Sequence, residues 1–210
     1  MEDIKPLVQL NSIEQRILGV LLEKSKTTPD YYPMSINSLT AGCNQKTSRN
    51  PVVSYDDETV TLTLNGLKIK GLASTLTGAG SRTVKWKHNL AIVYPLLPSE
   101  LAIICLLLLR GPSTPGEINT NAGRLYEFET IEEVSECLQK LAAEQPPYVK
   151  QLPKRPGQKE VRFMHLFGGD ELEEVQEPET ITPHNADLEQ RIAKLEQEIL
   201  ELKELVNLLM

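Results

Sequence analysis

The 210-residue chain predicts a mostly α fold with small β-hairpins (α+β), built as two tandem units and a C-terminal coiled-coil helix. Three observations carry this reading. Residues 1–167 run through one plan of helices twice. Each run closes on two β-type stretches around a turn. The tail holds an unbroken heptad pattern. The expected boundaries are 1–90 for the first unit, 91–167 for the second, 168–186 for an acidic linker and 187–210 for the coil.

Unit one opens at Ser12 and unit two at Ser99, a serine being able to cap the free N–H groups of a first helical turn. Apolar residues then recur at helical spacing: Ile13, Ile17, Val20 and Leu21 against Ile103, Ile104, Leu107 and Leu108. A Thr-Pro pair follows in each, Thr28-Pro29 and Thr114-Pro115. The offset of 87 positions between the serines and 86 between the threonines marks a repeat.

A short second helix is expected at about Ser35–Cys43 and Pro115–Ala122. A third is expected at about Asp57–Lys70, stopped by Gly71, and Thr130–Glu144, where Thr130 and Glu133 have capping-box spacing. Thr59–Leu64 alternates like a strand, but Val60, Leu64 and Leu67 share a helical face, and the second unit has clear helix formers there. The closing stretches are Leu72–Thr77 with Arg82–Lys87, and Tyr148–Leu152 with Glu160–Leu166. Three helices and a β-hairpin in each unit follow the winged helix-turn-helix plan.

In the tail, Leu188, Ile192, Leu195, Ile199, Leu202, Val206 and Leu209 are spaced alternately four and three apart. β-Branched residues at a with leucine at d favour a parallel dimer. Arg191 facing Glu196, and Glu198 facing Lys203, agree with a homodimer in register. The alternative is an amphipathic helix folded onto its own chain.

Composition excludes several classes. Cys43, Cys105 and Cys137 are too far apart for a metal-binding motif, and three is a poor disulfide count. Cys105 and Cys137 read as buried thiols in a reducing, cytoplasmic setting. No secretory signal is visible, and prolines break the apolar stretch Leu90–Leu109 too often for a membrane span. No phosphate-binding glycine pattern is present, and His88, His165 and His184 are scattered. The expectation is a protein that is not an enzyme, with no cofactor, no metal and no membrane partner.

The formal net charge of −7 argues against nucleic acid only until it is divided. Residues 1–90 carry +3, residues 91–167 carry −1, and the tail carries −9. Winged helices put the third helix in the major groove and the wing against the backbone. The candidate DNA contacts are Asn44, Gln45, Lys46 and Arg49 in the loop after the second helix, with Lys68 and Lys70. Arg82, Lys85 and Lys87 join them on the first wing, and Lys150, Lys154, Arg155, Lys159 and Arg162 on the second. Trp86 reads as a packing residue of its hairpin. Asp56, Asp57 and Glu58, and Glu132, Glu133, Glu136 and Glu144 against one Lys140, oppose this: acid stands where the third helices would meet phosphate. Two readings stay open. One is a dimeric, DNA-associated or transcription-regulatory protein; the other is a scaffold that contacts another protein through the same surfaces and the coil.

Several runs, chiefly Cys43–Pro51, Leu107–Pro112, Thr114–Glu117 and Arg124–Phe128 with Met164–Phe167, resemble the YceH-like family of bacterial proteins from about residue 12 to the coil. The resemblance implies a tandem winged-helix fold and adds little on activity. On the residues alone, Asn44–Arg49 either order their own loop or bind an anion. Phe128 is expected as an apolar anchor, with Arg124 and Glu127 pairing locally.

Overall fold

The computed structural model describes residues 6–77, 83–154 and 157–168. The coil residues Leu188 to Leu209, the linker beyond Gly168, and the wing residues Arg82 and Arg155 lie outside them. Over the described residues the fold is mixed: seven α-helices and two small antiparallel hairpins.

Helix α1 (Ser12–Thr27) starts at Asn11, not at a serine. Asn11 Oδ1 accepts from Ile13 and Glu14 N–H, and Glu14 Oε2 accepts from Asn11 N–H at 2.9 Å, so three backbone donors are satisfied by a reciprocal capping box. Helix α2 (Ile36–Cys43) is capped by Ser35. Helix α3 (Asp57–Ile69) is capped by Asp56, which settles the Thr59–Leu64 ambiguity: Val60, Leu64 and Leu67 are its buried stripe. Gly71 takes φ +77° and ends it. Strands β1 (Ala73–Leu76) and β2 (Lys85–His88) follow, with Thr75 opposite Trp86.

After α4 (Leu90–Val93) the plan returns. Helix α5 (Pro98–Arg110) begins at Leu97 with Pro98 in its first turn, and the Glu100 carboxylate accepts from Leu97 N–H at 2.7 Å. Helix α6 (Pro115–Ala122) is capped by Thr114 and α7 (Ile131–Ala143) by Thr130. Strands β3 (Val149–Gln151) and β4 (Phe163–His165) close the run.

The Thr-Pro pairs do not correspond. Thr28 is the C-cap of α1, and Pro29 starts a 3-10 turn, whereas Thr114 is the N-cap of α6. The structural counterpart of Thr114 is Ser35, so unit one carries extra residues between its first two helices.

Two features recur in both halves of the described residues. In each unit the segment before the second helix bridges to the last strand: Met34 pairs with Trp86, and Ser113 with Phe163. In each unit, too, a buried glutamate in the first turn of the first helix meets a lysine at the end of the third. Glu14 lies 2.6 Å from Lys70, and Glu100 lies 2.7 Å from Lys140.

Residues 6–168 share one core. Helix α1 packs on α5, and Gly19 is the point of closest approach: a Cβ there would lie 2.8 Å from Leu109 Cδ2. Leu10 N–H donates to Phe167 O, Val8 N–H to the Tyr94 hydroxyl, and Tyr94, Tyr148 and Phe167 pack ring against ring. Among the described residues no helix is long and apolar enough to cross a membrane.

Candidate functional site

The loop from Asn44 to Tyr55 is held from inside. Asn44 Nδ2 donates to Tyr55 O at 2.7 Å, and its Oδ1 accepts from Tyr55 N–H at 2.8 Å. Both amide atoms are therefore engaged by backbone. Arg49 is buried. Its Nε donates to Gly42 O, its Nη1 to Ser48 O, and its Nη2 to Gln45 Oε1 at 2.9 Å. Its guanidinium also grips Glu23 of α1 by both prongs. Arg16, a second buried cation, donates to Pro51 O from α1. Burial, with the charge of Arg49 nearby, holds the Arg16 pKa below its ordinary value. The sequence reading missed Arg16 because it stands in the apolar stripe of α1.

Burial pushes the Glu23 carboxyl up, but hydrogen bonds and charge from Arg49 and Lys24 outweigh it and leave its pKa below the usual carboxylate range.

The other candidates separate into two groups. Lys70 is bound to Glu14 and to Gln9 O, and Arg162 makes a two-pronged pair with Glu117 while also donating to Pro112 O. These are ties within the fold. Lys46, Lys85, Lys154 and Lys159 are exposed, with no ion pair among the described residues. Lys68 is exposed and reaches only the Thr75 hydroxyl, at 3.4 Å. Lys87 is half-buried on β2, and Lys150 is half-buried on β3. Of the candidates, Arg49 and Arg162 line one cleft, beside Ser48, Arg110 and Glu117. Trp86 is buried between β1 and the Met34 bridge, a packing residue.

The outward faces of the third helices are not basic. Helix α3 exposes Asp57, Glu58, Leu62, Asn65 and Ile69 with one lysine, Lys68, and α7 exposes Glu132, Glu136 and Gln139 with one lysine, Lys140, which is paired with Glu100. Leu62 is 66% and Ile69 88% exposed.

What does converge is the pair of motifs that carry the resemblance. Gln45, Lys46, Thr47 and Ser48 form one side of a cleft of about 380 Å³; Asn121 of α6, with Arg124 and Leu125 just beyond that helix, forms another. Glu23, Lys24 and Thr27 of α1 and Leu106, Leu109 and Arg110 of α5 complete it. Arg110 donates to the Ser48 hydroxyl at 2.9 Å, and Asn50 N–H to Leu109 O, tying the loop to unit two. Phe128 is buried against Tyr126. The expected local pair of Arg124 with Glu127 is absent: Arg124 is exposed and makes no ion pair among the described residues, so it faces the cleft uncommitted.

The cysteines are thiols. Burial pushes the Cys43 pKa up to about 12 and raises that of Cys105, which donates weakly to Gly19 O. Among the described residues no group of three or more His, Cys, Asp or Glu is placed to hold a metal ion.

A family model described as a protein of unknown function, DUF480, matches residues 10–158. A UPF0502 protein of Shewanella piezotolerans is 47% identical over 210 residues, covering 95% of this chain and 97% of that one. One of Opitutus terrae is 49% identical over 166 residues, covering 79% and 72%. One of Pectobacterium carotovorum is 42% identical over 200 residues, covering 93% and 95%. With a match across most of its length, and with the two characteristic runs meeting in one cleft, the chain belongs to this DUF480 family of bacterial UPF0502 proteins, the family that the YceH-like resemblance anticipated.

Proposed function

We propose that the protein is a tandem winged-helix protein, dimeric through its C-terminal coil, that associates with duplex DNA through its hairpins and not through its third helices. The reading is non-enzymatic. The winged-helix assignment rests on the matching isolated bridges, Met34 to Trp86 and Ser113 to Phe163, each of which ties the segment before a second helix to its two-stranded hairpin. The DNA assignment rests on one observation: Lys46, Lys85, Lys154 and Lys159, four exposed candidate lysines with no ion pair among the described residues, stand on or beside the hairpins and the loop. Cations already paired to carboxylate would have to break that pair to neutralise phosphate; these four need not.

The test is titration of the full chain with duplex DNA at several salt concentrations. The log–log slope is expected to be about −0.9 per phosphate neutralised, and to shrink by about one unit for each of Lys85→Ala and Lys159→Ala. An absence of binding at low salt overturns the proposal. For the coil, light scattering should show a dimer that becomes a monomer when 187–210 are removed; a dimer that persists overturns that part.

One observation favours the alternative of a protein-contact scaffold. The outer face of α3 combines Leu62 and Ile69 with acid at its first turn, a surface suited to an aliphatic, basic protein segment. Under that reading DNA binding fails, and Leu62→Asp abolishes contact with the partner.

A further inference from the structure

We infer that the cleft between the Gln45–Ser48 loop and the end of α6 is a binding site for a small organic phosphate, a monoester on a compact apolar body. The inference does not depend on the DNA reading.

Charge is the first ground. Four cationic side chains line the cleft, Lys24, Lys46, Arg110 and Arg124. The only carboxylate among the lining residues is Glu23, already held by Arg49 at 2.6 Å and by Lys24 at 2.9 Å. An excess of positive charge is thus concentrated in one concavity of a chain whose formal charge is −7. Such a surplus favours a dianion over a singly charged carboxylate.

Donor geometry is the second. Arg110 spends Nη2 on the neutral Ser48 hydroxyl, and Arg124 and Lys46 make no ion pair among the described residues. A planar guanidinium presents paired N–H donors suited to phosphate oxygens, and an ammonium adds a point charge. Nothing has to be released before an anion binds to Arg124 or Lys46.

Shape is the third. A cleft of about 380 Å³ is of the size that holds small molecules, and its concavity does not fit the convex backbone of a duplex. Leu106, Leu109 and Leu125 supply apolar lining beside the cations. A bare inorganic ion would leave that lining unused, so the ligand carries an apolar body next to its phosphate.

Preorganisation is the fourth. Arg49 and Asn44 fix the loop from behind, and the Arg110–Ser48 and Asn50–Leu109 hydrogen bonds fix it to α5. The site is therefore assembled before the ligand arrives, and little ordering cost remains.

The experiment is calorimetric titration of the full chain with phenyl phosphate, inorganic phosphate and benzoate as probes. The expected result is saturable binding of phenyl phosphate, one per chain, tighter than that of either other probe. Arg124→Ala and Lys46→Ala should each weaken it by about tenfold, the scale of one charge-assisted hydrogen bond. Lys159→Ala, on the second hairpin and outside the cleft, should leave it unchanged. Both cleft variants alter exposed side chains, and circular dichroism would verify that they are folded. Failure of phenyl phosphate to saturate overturns the site, as does binding that Arg124→Ala and Lys46→Ala leave intact. Benzoate binding as tight as phenyl phosphate overturns the phosphate assignment, and inorganic phosphate binding as tight overturns the apolar part.

Discussion

Arg49 and Glu23 meet through two charge-assisted hydrogen bonds, Nη2 to Oε2 at 2.6 Å and Nη1 to Oε1 at 3.2 Å. The arginine side chain has no exposed surface, and the glutamate is 16% exposed. The pair joins a loop to the first helix across 26 positions of sequence. It turns a residue that reads as a surface cation into the support beneath the cleft.

Replacing Arg49 with Ala should therefore cost stability. It strands the Glu23 carboxylate in a half-buried site beside Lys24 alone, and it takes the donor from Gly42 O. Removing one partner of a buried pair typically costs about 3–5 kcal/mol; partial exposure of Glu23 and its bond to Lys24 reduce this to about 2–3 kcal/mol. Arg49→Lys should recover less than half, because an ammonium cannot serve Gly42 O, Ser48 O and both carboxylate oxygens together. Urea denaturation checks both. A lysine variant as stable as wild type would show that the fork geometry is irrelevant.

A second prediction concerns the seam between the units. A Cβ at Gly19 would stand 2.8 Å from Leu109 Cδ2, 2.9 Å from its Cγ and 3.2 Å from Leu108 Cβ. Alanine gains up to about 1 kcal/mol over glycine in a helix interior. Overpacking of a fitted core costs about 1–3 kcal/mol. Here the neighbours are side chains of a facing helix that are themselves buried, so the steric term wins. Gly19→Ala should destabilise by about 1–2 kcal/mol, and the double variant with Leu109→Ala should lose less than the sum of the singles. A stabilised Gly19→Ala protein would mean that α1 and α5 can separate freely.

The third prediction is a pH dependence. His165 and His88 are held down to about 4 from 6.5. For His165 the cause is burial; for His88 it is burial, then the charges of Lys26 and Lys87. The folded state favours neutral imidazole, so between about pH 4 and pH 6.5 the unfolded chain binds more protons. Their contribution is complete above pH 6.5, falls as pH drops through that window, and levels off below about 4. From pH 7 to pH 5 the loss should be about 2 kcal/mol for His165, and less for the more exposed His88. His165→Phe should remove the His165 share. A variant with the wild-type pH profile would place the titration elsewhere.

Much of this architecture was legible in the residues, and the exceptions have identifiable physical causes. The apolar stripe of α3 overrides the strand-like alternation of Thr59–Leu64, because only a helix buries Val60, Leu64 and Leu67 together. Gly71 takes φ +77° at the end of α3, as its position suggested. The Thr-Pro pairs misled because one dipeptide serves equally after a helix and before one, and local sequence does not say which. Whether Asn44 and Arg49 order their own loop or bind an anion stayed open in the sequence, because their partners, Tyr55 and Glu23, stand 11 and 26 positions away. The cleft was least legible of all. Its two motifs lie roughly eighty positions apart, and only the packing of α1 on α5 brings them together.

The last prediction tests the route of the proposed DNA contact. If the hairpins and loop carry it and the third helices stand clear, charge added to the outer face of α3 should hardly matter. Leu62 and Ile69 are 66% and 88% exposed, so Leu62→Asp and Ile69→Asp should change stability by no more than about 0.5 kcal/mol. Their effect on duplex affinity should be small beside that of Lys85→Ala, a residue exposed on β2 with no ion pair among the described residues. A groove-reading α3 would respond in the opposite order, because a carboxylate introduced among phosphates is repelled at close range. Anisotropy titrations of the three variants at one low salt concentration decide between the two geometries. A larger loss for Leu62→Asp than for Lys85→Ala would return α3 to the groove, despite Asp56, Asp57 and Glu58 at its first turn.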